Sequence, residues 1–187
     1  MRLFLLIFSL IAVTSIAQVP TKGAEVLPKG KSAIYKAEFN ITGNSINGFL
    51  AVKHKRNGVL HVSFTSPMGN NLLEMRWKNG RWKKIYAIKK LSGRMVYGMM
   101  AEDILLLFAH YQHDKSFEDL GNEWKWNKKR LYPVFENDML STVKVKTKRH
   151  RPSKTVKYKR VGTEIMELSI DHQGFPFSIV LEPIKKK

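Results

Sequence analysis

Six histidines, two adjacent acids and a scatter of serines are the residues of this chain that could do chemistry. Only His110 and His113 have a metal-like spacing, at i and i+3 beside Asp114, the arrangement by which two imidazoles share one zinc ion. They also close an apolar helical run, where positive side chains meet the negative end of a helix dipole. The dipole role is the one expected of them, and no metal is expected. Glu102 and Asp103 are neighbours on a helix and point apart, which makes a poor acid/base pair. They read as acids of a first helical turn. Ser63, Ser66 and Ser141 lack the context of a nucleophile elbow, and Gly93 and Gly98 do not form a phosphate loop. No cofactor is called for, and the chain is expected not to be an enzyme.

What must be positioned is therefore apolar surface. Ala33, Tyr35, Ala37, Phe39 and Ile41 alternate with polar residues, so one face of the strand is buried and the other wet. The same period returns at Ile46, Gly48, Leu50 and Val52. Asn57-Gly58 is a hairpin signal leading into Leu60, Val62 and Phe64. Pro67 and Gly69 break this third strand, Leu73, Met75 and Trp77 face inward on a fourth, and Asn79-Gly80 turns the chain again. The period then changes. Tyr97, Met100, Ala101, Ile104, Leu105 and Phe108 line one face of a helix over residues 96–108, and Met99, Leu106 and Leu107 widen the stripe beyond what one sheet face requires. Strands resume at Trp124 and Trp126, residues 131–139 read as an irregular connection, and a basic hairpin and two further strands follow. The expected fold is mainly β (α+β), an incomplete antiparallel barrel of about ten to eleven strands with a helical lid, because so many strands must curl or close.

Residues 1–17 read as a secretory signal peptide, with Arg2 before an apolar run and a small-residue site at Ser15-Ile16-Ala17. Residues 18–187 then form a single domain, a size that one core can serve. The chain has no cysteine, hence no disulfide, no thiolate metal site and no lipobox residue to acylate. A soluble periplasmic protein, monomeric and cleaved near Ala17, is the expectation.

Taken in order, the meander, the segment Phe64-Thr65-Ser66-Pro67-Met68-Gly69, the strand ending in Asn79-Gly80 and a helix opening at Ala101-Glu102-Asp103 resemble the LolA/LolB lipoprotein-carrier superfamily. The likeness is closest to LolB, the outer-membrane lipoprotein receptor. It implies an unclosed barrel whose cavity accepts acyl chains of a lipid or lipidated protein. It also implies a protruding apolar residue between the third and fourth strands that contacts the membrane. Met68 holds that position, and its flexible thioether suits soft surroundings. Candidate cavity-lining residues are Phe39, Leu50, Val52, Phe64, Leu73 and Met75 from the strands, with Met100, Ile104, Leu105 and Phe108 from the helix. The sequence does not sort lining from plain core. LolB is anchored through an acylated cysteine, so this chain would be a soluble shuttle with an envelope transport partner.

Lys and Arg number 33 against 15 Asp and Glu, a net charge of +18. Nine basic residues fall between positions 144 and 160: Lys144, Lys146, Lys148, Arg149, Arg151, Lys154, Lys157, Lys159 and Arg160. Export, and the lack of aromatic platforms among them, argue against nucleic acid. An anionic membrane surface, an acidic polysaccharide or an acidic protein fits better. A basic side chain near such a membrane contributes about 1 kcal/mol and a buried acyl methylene about 0.8 kcal/mol, so cargo binding is assigned to the cavity and orientation to the basic surface. The other reading is an envelope interaction module with a filled interior.

Overall fold

The computed structural model describes residues 26–146 and 152–184. The proposed signal peptide, Lys148, Arg149 and Arg151 lie outside them. Twelve strands form one antiparallel sheet in the order β5-β4-β3-β2-β1-β12-β11-β10-β9-β8-β7-β6. The first five are β1 (Ser32–Ile41), β2 (Asn44–His54), β3 (Leu60–Thr65), β4 (Asn71–Lys78) and β5 (Arg81–Ala87). The rest are β6 (Glu118–Asp119), β7 (Trp124–Trp126), β8 (Lys129–Glu136), β9 (Met139–Lys146), β10 (Pro152–Val161), β11 (Glu164–His172) and β12 (Phe177–Pro183). Every neighbour in space is a neighbour in sequence except β1 and β12, which close the first half of the meander onto the last.

That order leaves β5 and β6 as the two free edges, and the chain between them is the helical segment. It consists of α1 (Lys89–Ser92), α2 (Arg94–Leu107) and a short 3₁₀ helix (His110–His113). The helices therefore link one edge of the sheet to the other, across the side on which the sheet is open. Register shifts at Phe64/Thr65, Glu74/Met75, Val134/Phe135, Pro152/Lys154 and Lys159/Arg160 interrupt the ladders of five of the hairpins, and bulges bend and twist a sheet. The sheet is open and unclosed, as the alternation predicted. The concave face and the helix share a single core, from Tyr35 and Phe39 through Met75 and Ile104 to Val156 and Leu181.

The strand count exceeds the expectation by the region read as irregular, residues 131–139. It holds most of β8 and the start of β9, joined by a two-residue turn with both Asn137 (φ 50) and Asp138 (φ 61) left-handed. Asn127 (φ 47) and Lys128 (φ 64) make the same kind of turn between β7 and β8. Primed turns favour Asn-Gly, and without glycine these two were not legible. The helix also starts earlier than the motif implied, at Arg94 rather than Ala101. No helix among the described residues is long and apolar enough to cross a membrane.

Candidate functional site

Asp103 is fully buried, near the end of α2 and facing the concave side of the sheet. Two side chains from the C-terminal half of the sheet reach it. Lys154 on β10 donates to Oδ1 at 2.7 Å, and His172 on β11 donates from Nε2 to Oδ2, also at 2.7 Å. Glu102 next to it takes hydrogen bonds from Lys154 and from Lys129 of β8. A fifth tie joins the buried Tyr158 hydroxyl to the Leu106 carbonyl at 2.7 Å. The lid is thus fastened polar group by polar group to β8, β10 and β11. Burial raises the Glu102 carboxyl, but Lys154 and then Lys129 outweigh it and hold it below the usual carboxylate range. Burial lowers the Lys154 ammonium, and Asp103 and then Glu102 reverse this and leave it raised.

This network corrects three expectations. Glu102 and Asp103 are not first-turn acids, because α2 begins at Arg94. Nor do their carboxylates point apart, since both converge on the one Lys154 ammonium. Nor does Lys154 belong to the basic surface: it is 6% exposed, because it shares strand parity with the inward Val156 and Tyr158. That parity was the available signal, and it also places His172 in line with Leu168 and Ile170. Of the other basic residues, Lys144, Lys157 and Lys159 are exposed on the outer face. Lys146 is half-buried, its ammonium 4.4 Å from the Tyr132 ring centre. Arg160 is half-buried and donates to the Thr163 carbonyl at 3.0 Å.

The ten candidate lining residues all fall in the one core. Phe39, Leu50, Phe64, Leu73, Met75, Met100 and Ile104 are fully buried, Val52, Leu105 and Phe108 nearly so. They form contacts with one another: Phe39 lies against Phe64 at 4.6 Å between ring centres, and Phe108 stands edge-on to Tyr35 at 5.4 Å. A groove of about 290 Å³ lies at β1, β2 and β12, bordered by Lys36, Glu38, Asn47, Phe49, Pro67 and Glu182. None of the ten candidates borders it.

Met68 is 90% exposed on a loop that is well tied down. Gly69 N–H donates to the Ser66 carbonyl at 2.9 Å, Ser66 N–H to the Asn70 carbonyl at 2.8 Å, and Asn70 N–H to Ser66 Oγ at 3.1 Å. The register brings other apolar side chains to this end of the sheet. Leu73 pairs with Ala87 and Glu74 with Tyr86, and Ile88 N–H donates to the Leu72 carbonyl. Exposed Ile85 and Tyr86 are therefore beside the first half of β4, and Met95 is exposed at the start of α2. Lys89, Lys90 and Arg94 are exposed beside them. On the same hairpin Arg76 faces Lys83 and Lys78 faces Arg81 across the strands, a pairing of like charges that costs stability. This second basic region, at the β5 edge, was not singled out from the sequence, although its spacing of Lys and Arg among strand residues was visible there.

An open antiparallel sheet curled about one helix is the class of fold these observations define. No family model matches the chain, and no curated protein matches it. Among solved structures it is similar to a LolA superfamily protein from Nitrosomonas europaea, at 11% identity and a TM-score of 0.48, over 87% of this chain and 88% of that one. It is also similar to a DUF1329 family protein from Desulfovibrio piger, at 10% identity and a TM-score of 0.44, over 83% and 85%. A third is an outer membrane lipoprotein-sorting protein domain from Vibrio parahaemolyticus, at 10% identity and a TM-score of 0.36, over 88% and 85%.

Proposed function

We propose that this protein is a non-enzymatic carrier of acyl chains in the periplasm, for a lipid or a lipidated protein on its way to the outer membrane, working as a monomer. The observation that carries the reading is how the interior is divided. One side is the concave face of a twelve-stranded open sheet, and the other is a single 14-residue helix that packs its apolar face on the sheet and has ion pairs and one phenol hydrogen bond as its polar ties to it. Displacing the helix uncovers a continuous apolar trough without breaking a strand. An acyl chain lying there replaces the contacts of Met100, Ile104, Leu105 and Phe108, each methylene contributing about 0.8 kcal/mol. Met68, Tyr86 and Met95, with Lys89, Lys90 and Arg94 around them, suit the docking of this end on an anionic membrane. The polar residues collected inside serve the lid rather than a reaction.

The experiment is uptake of a fluorescent fatty acid by the folded protein, alongside native mass spectrometry for co-purified lipid. Binding at micromolar concentration or tighter is expected, and Lys154→Met, which loosens the lid, should bind faster. A second reading has its own support in the well-filled interior: an envelope module that uses only its basic surface. A folded protein that takes up no fatty acid in either form, yet still binds anionic vesicles, decides for the module.

A further inference from the structure

Three histidines meet at the end of the lid. His54 is the last residue of β2, on the inward parity of Leu50 and Val52, and His110 and His113 come from the 3₁₀ helix after α2. One ring nitrogen of each lies within 4.8 Å of the other two. The ring centres of His54 and His110 are 4.6 Å apart, those of His110 and His113 5.1 Å, and those of His54 and His113 5.5 Å. His54 and His110 are almost wholly buried, and His113 is exposed at the rim.

Hydrogen bonding fixes the state of the first ring. His54 Nδ1 is 3.0 Å from the Leu27 carbonyl, which can only accept, so Nδ1 carries a proton and Nε2 is the nitrogen left to ligate. Metal-bound imidazoles are oriented in this way, the outer nitrogen donating to a carbonyl. Nε2 of His54 and Nε2 of His110 are both buried without a partner among the described residues. Two such orphans in one place are costly in an ordinary core. The cluster has Trp77 edge-on to His110 at 4.6 Å and Lys29 as its nearby cation.

We infer that His54, His110 and His113 form a site for one divalent first-row transition ion, zinc in the first instance, with a solvent ligand at the exposed His113 side. An all-imidazole set favours zinc, copper or nickel over magnesium or calcium. Tetrahedral coordination at about 2.0–2.1 Å puts ligating nitrogens about 3.3 Å apart, so ring rotations that bring the nitrogens closer by up to about 1.5 Å complete the site. The ion would join β2 to the chain directly after the lid, holding the C-terminal end of α2 against the N-terminal half of the sheet. The acidic ties hold it to the other half. Nothing in this inference depends on what the protein carries.

The test is titration of the untagged full-length protein with zinc chloride by calorimetry, and with cobalt chloride by visible absorption. One equivalent should bind, with tetrahedral cobalt bands and a rise in Tm. His113→Gln is at the surface and should fold normally, yet weaken binding by at least the ~10–100-fold that losing even an outer-shell partner costs. His61→Gln, a control whose imidazole pairs with Glu74 at 3.0 Å, should bind as before. Absence of one-equivalent binding, equal binding by His113→Gln, or loss in His61→Gln overturns the assignment.

Discussion

Removing the Lys154 ammonium would leave the fully buried Asp103 carboxylate with His172 as its remaining partner. A buried charge stripped of one partner costs about 3–5 kcal/mol, so Lys154→Met should lower unfolding stability by roughly that much in urea titration. Adding Asp103→Asn removes the uncompensated charge while His172 keeps an acceptor, and should restore about half of the loss. The pH dependence follows from the two shifted groups. Glu102 lies below its ordinary 4.5, so its stabilisation is complete above that value and is lost as pH falls through the lower folded one. Lys154 lies above its ordinary 10.5, so its contribution is complete below that value and is lost as pH rises through the higher folded one. The stability difference between the native protein and Lys154→Met should therefore be flat between about pH 5 and 10 and shrink on either side. A difference that changes steeply near neutrality would show that some other group governs the tie.

Among the elements, the hairpin of β3 and β4 depends on one glycine of β2. A Cβ at Gly48 would stand 2.0 Å from the Thr65 carbonyl oxygen and 2.8 Å from Phe64 Cε2, so the backbone leading into the Met68 loop must move. Gly48→Ala should cost about 1–3 kcal/mol as overpacking and reduce vesicle association by displacing Met68. Met68→Asp should reduce it as well, but with stability changed by less than about 0.5 kcal/mol, as for a surface site. Equal stability in both variants would mean that the loop is held by something other than this close approach. The sequence made the first half of the sheet legible, because β1 to β4 alternate strictly and Asn79-Gly80 announces its turn. It hid β8 and the start of β9 behind Asn-Lys and Asn-Asp turns, which reach positive φ without glycine. Much of the apolar core could be read from period alone, though not Leu91, Tyr111, Leu131 and Leu140, which lie outside the segments whose period was clear. The ionic tie and the histidine cluster could not, since each draws on strands and helix segments far apart in sequence. Lys154, His172 and His54 become conspicuous only when each is recognised as a polar residue on an inward parity.

For the molecule as a whole, the charge of +18 and the apolar interior act over different distances and answer to different variables. Exposed charges are screened beyond about 8 Å at physiological salt, whereas burial of an acyl chain depends little on salt. If the β5-edge residues steer the protein to a membrane, association with vesicles containing anionic lipid should weaken severalfold between 50 and 300 mM salt, as Debye screening requires. Fatty-acid affinity should hold constant over the same range. Replacing Lys89, Lys90 and Arg94 with glutamine should weaken vesicle association more than replacing Lys144, Lys157 and Lys159, because the first three flank exposed Tyr86 and Met95 along the chain and contribute about 1 kcal/mol each once apolar insertion brings them to the surface. The second set lies on the outer face of β9 and β10, where Lys157 has Asp171 at 3.8 Å. If the β9–β10 set proved the more damaging, the docking end would be the wrong one and the outer face of the sheet would be the surface that meets the membrane. If neither set mattered, the positive charge would serve solubility, and the route to the membrane would run through a protein partner.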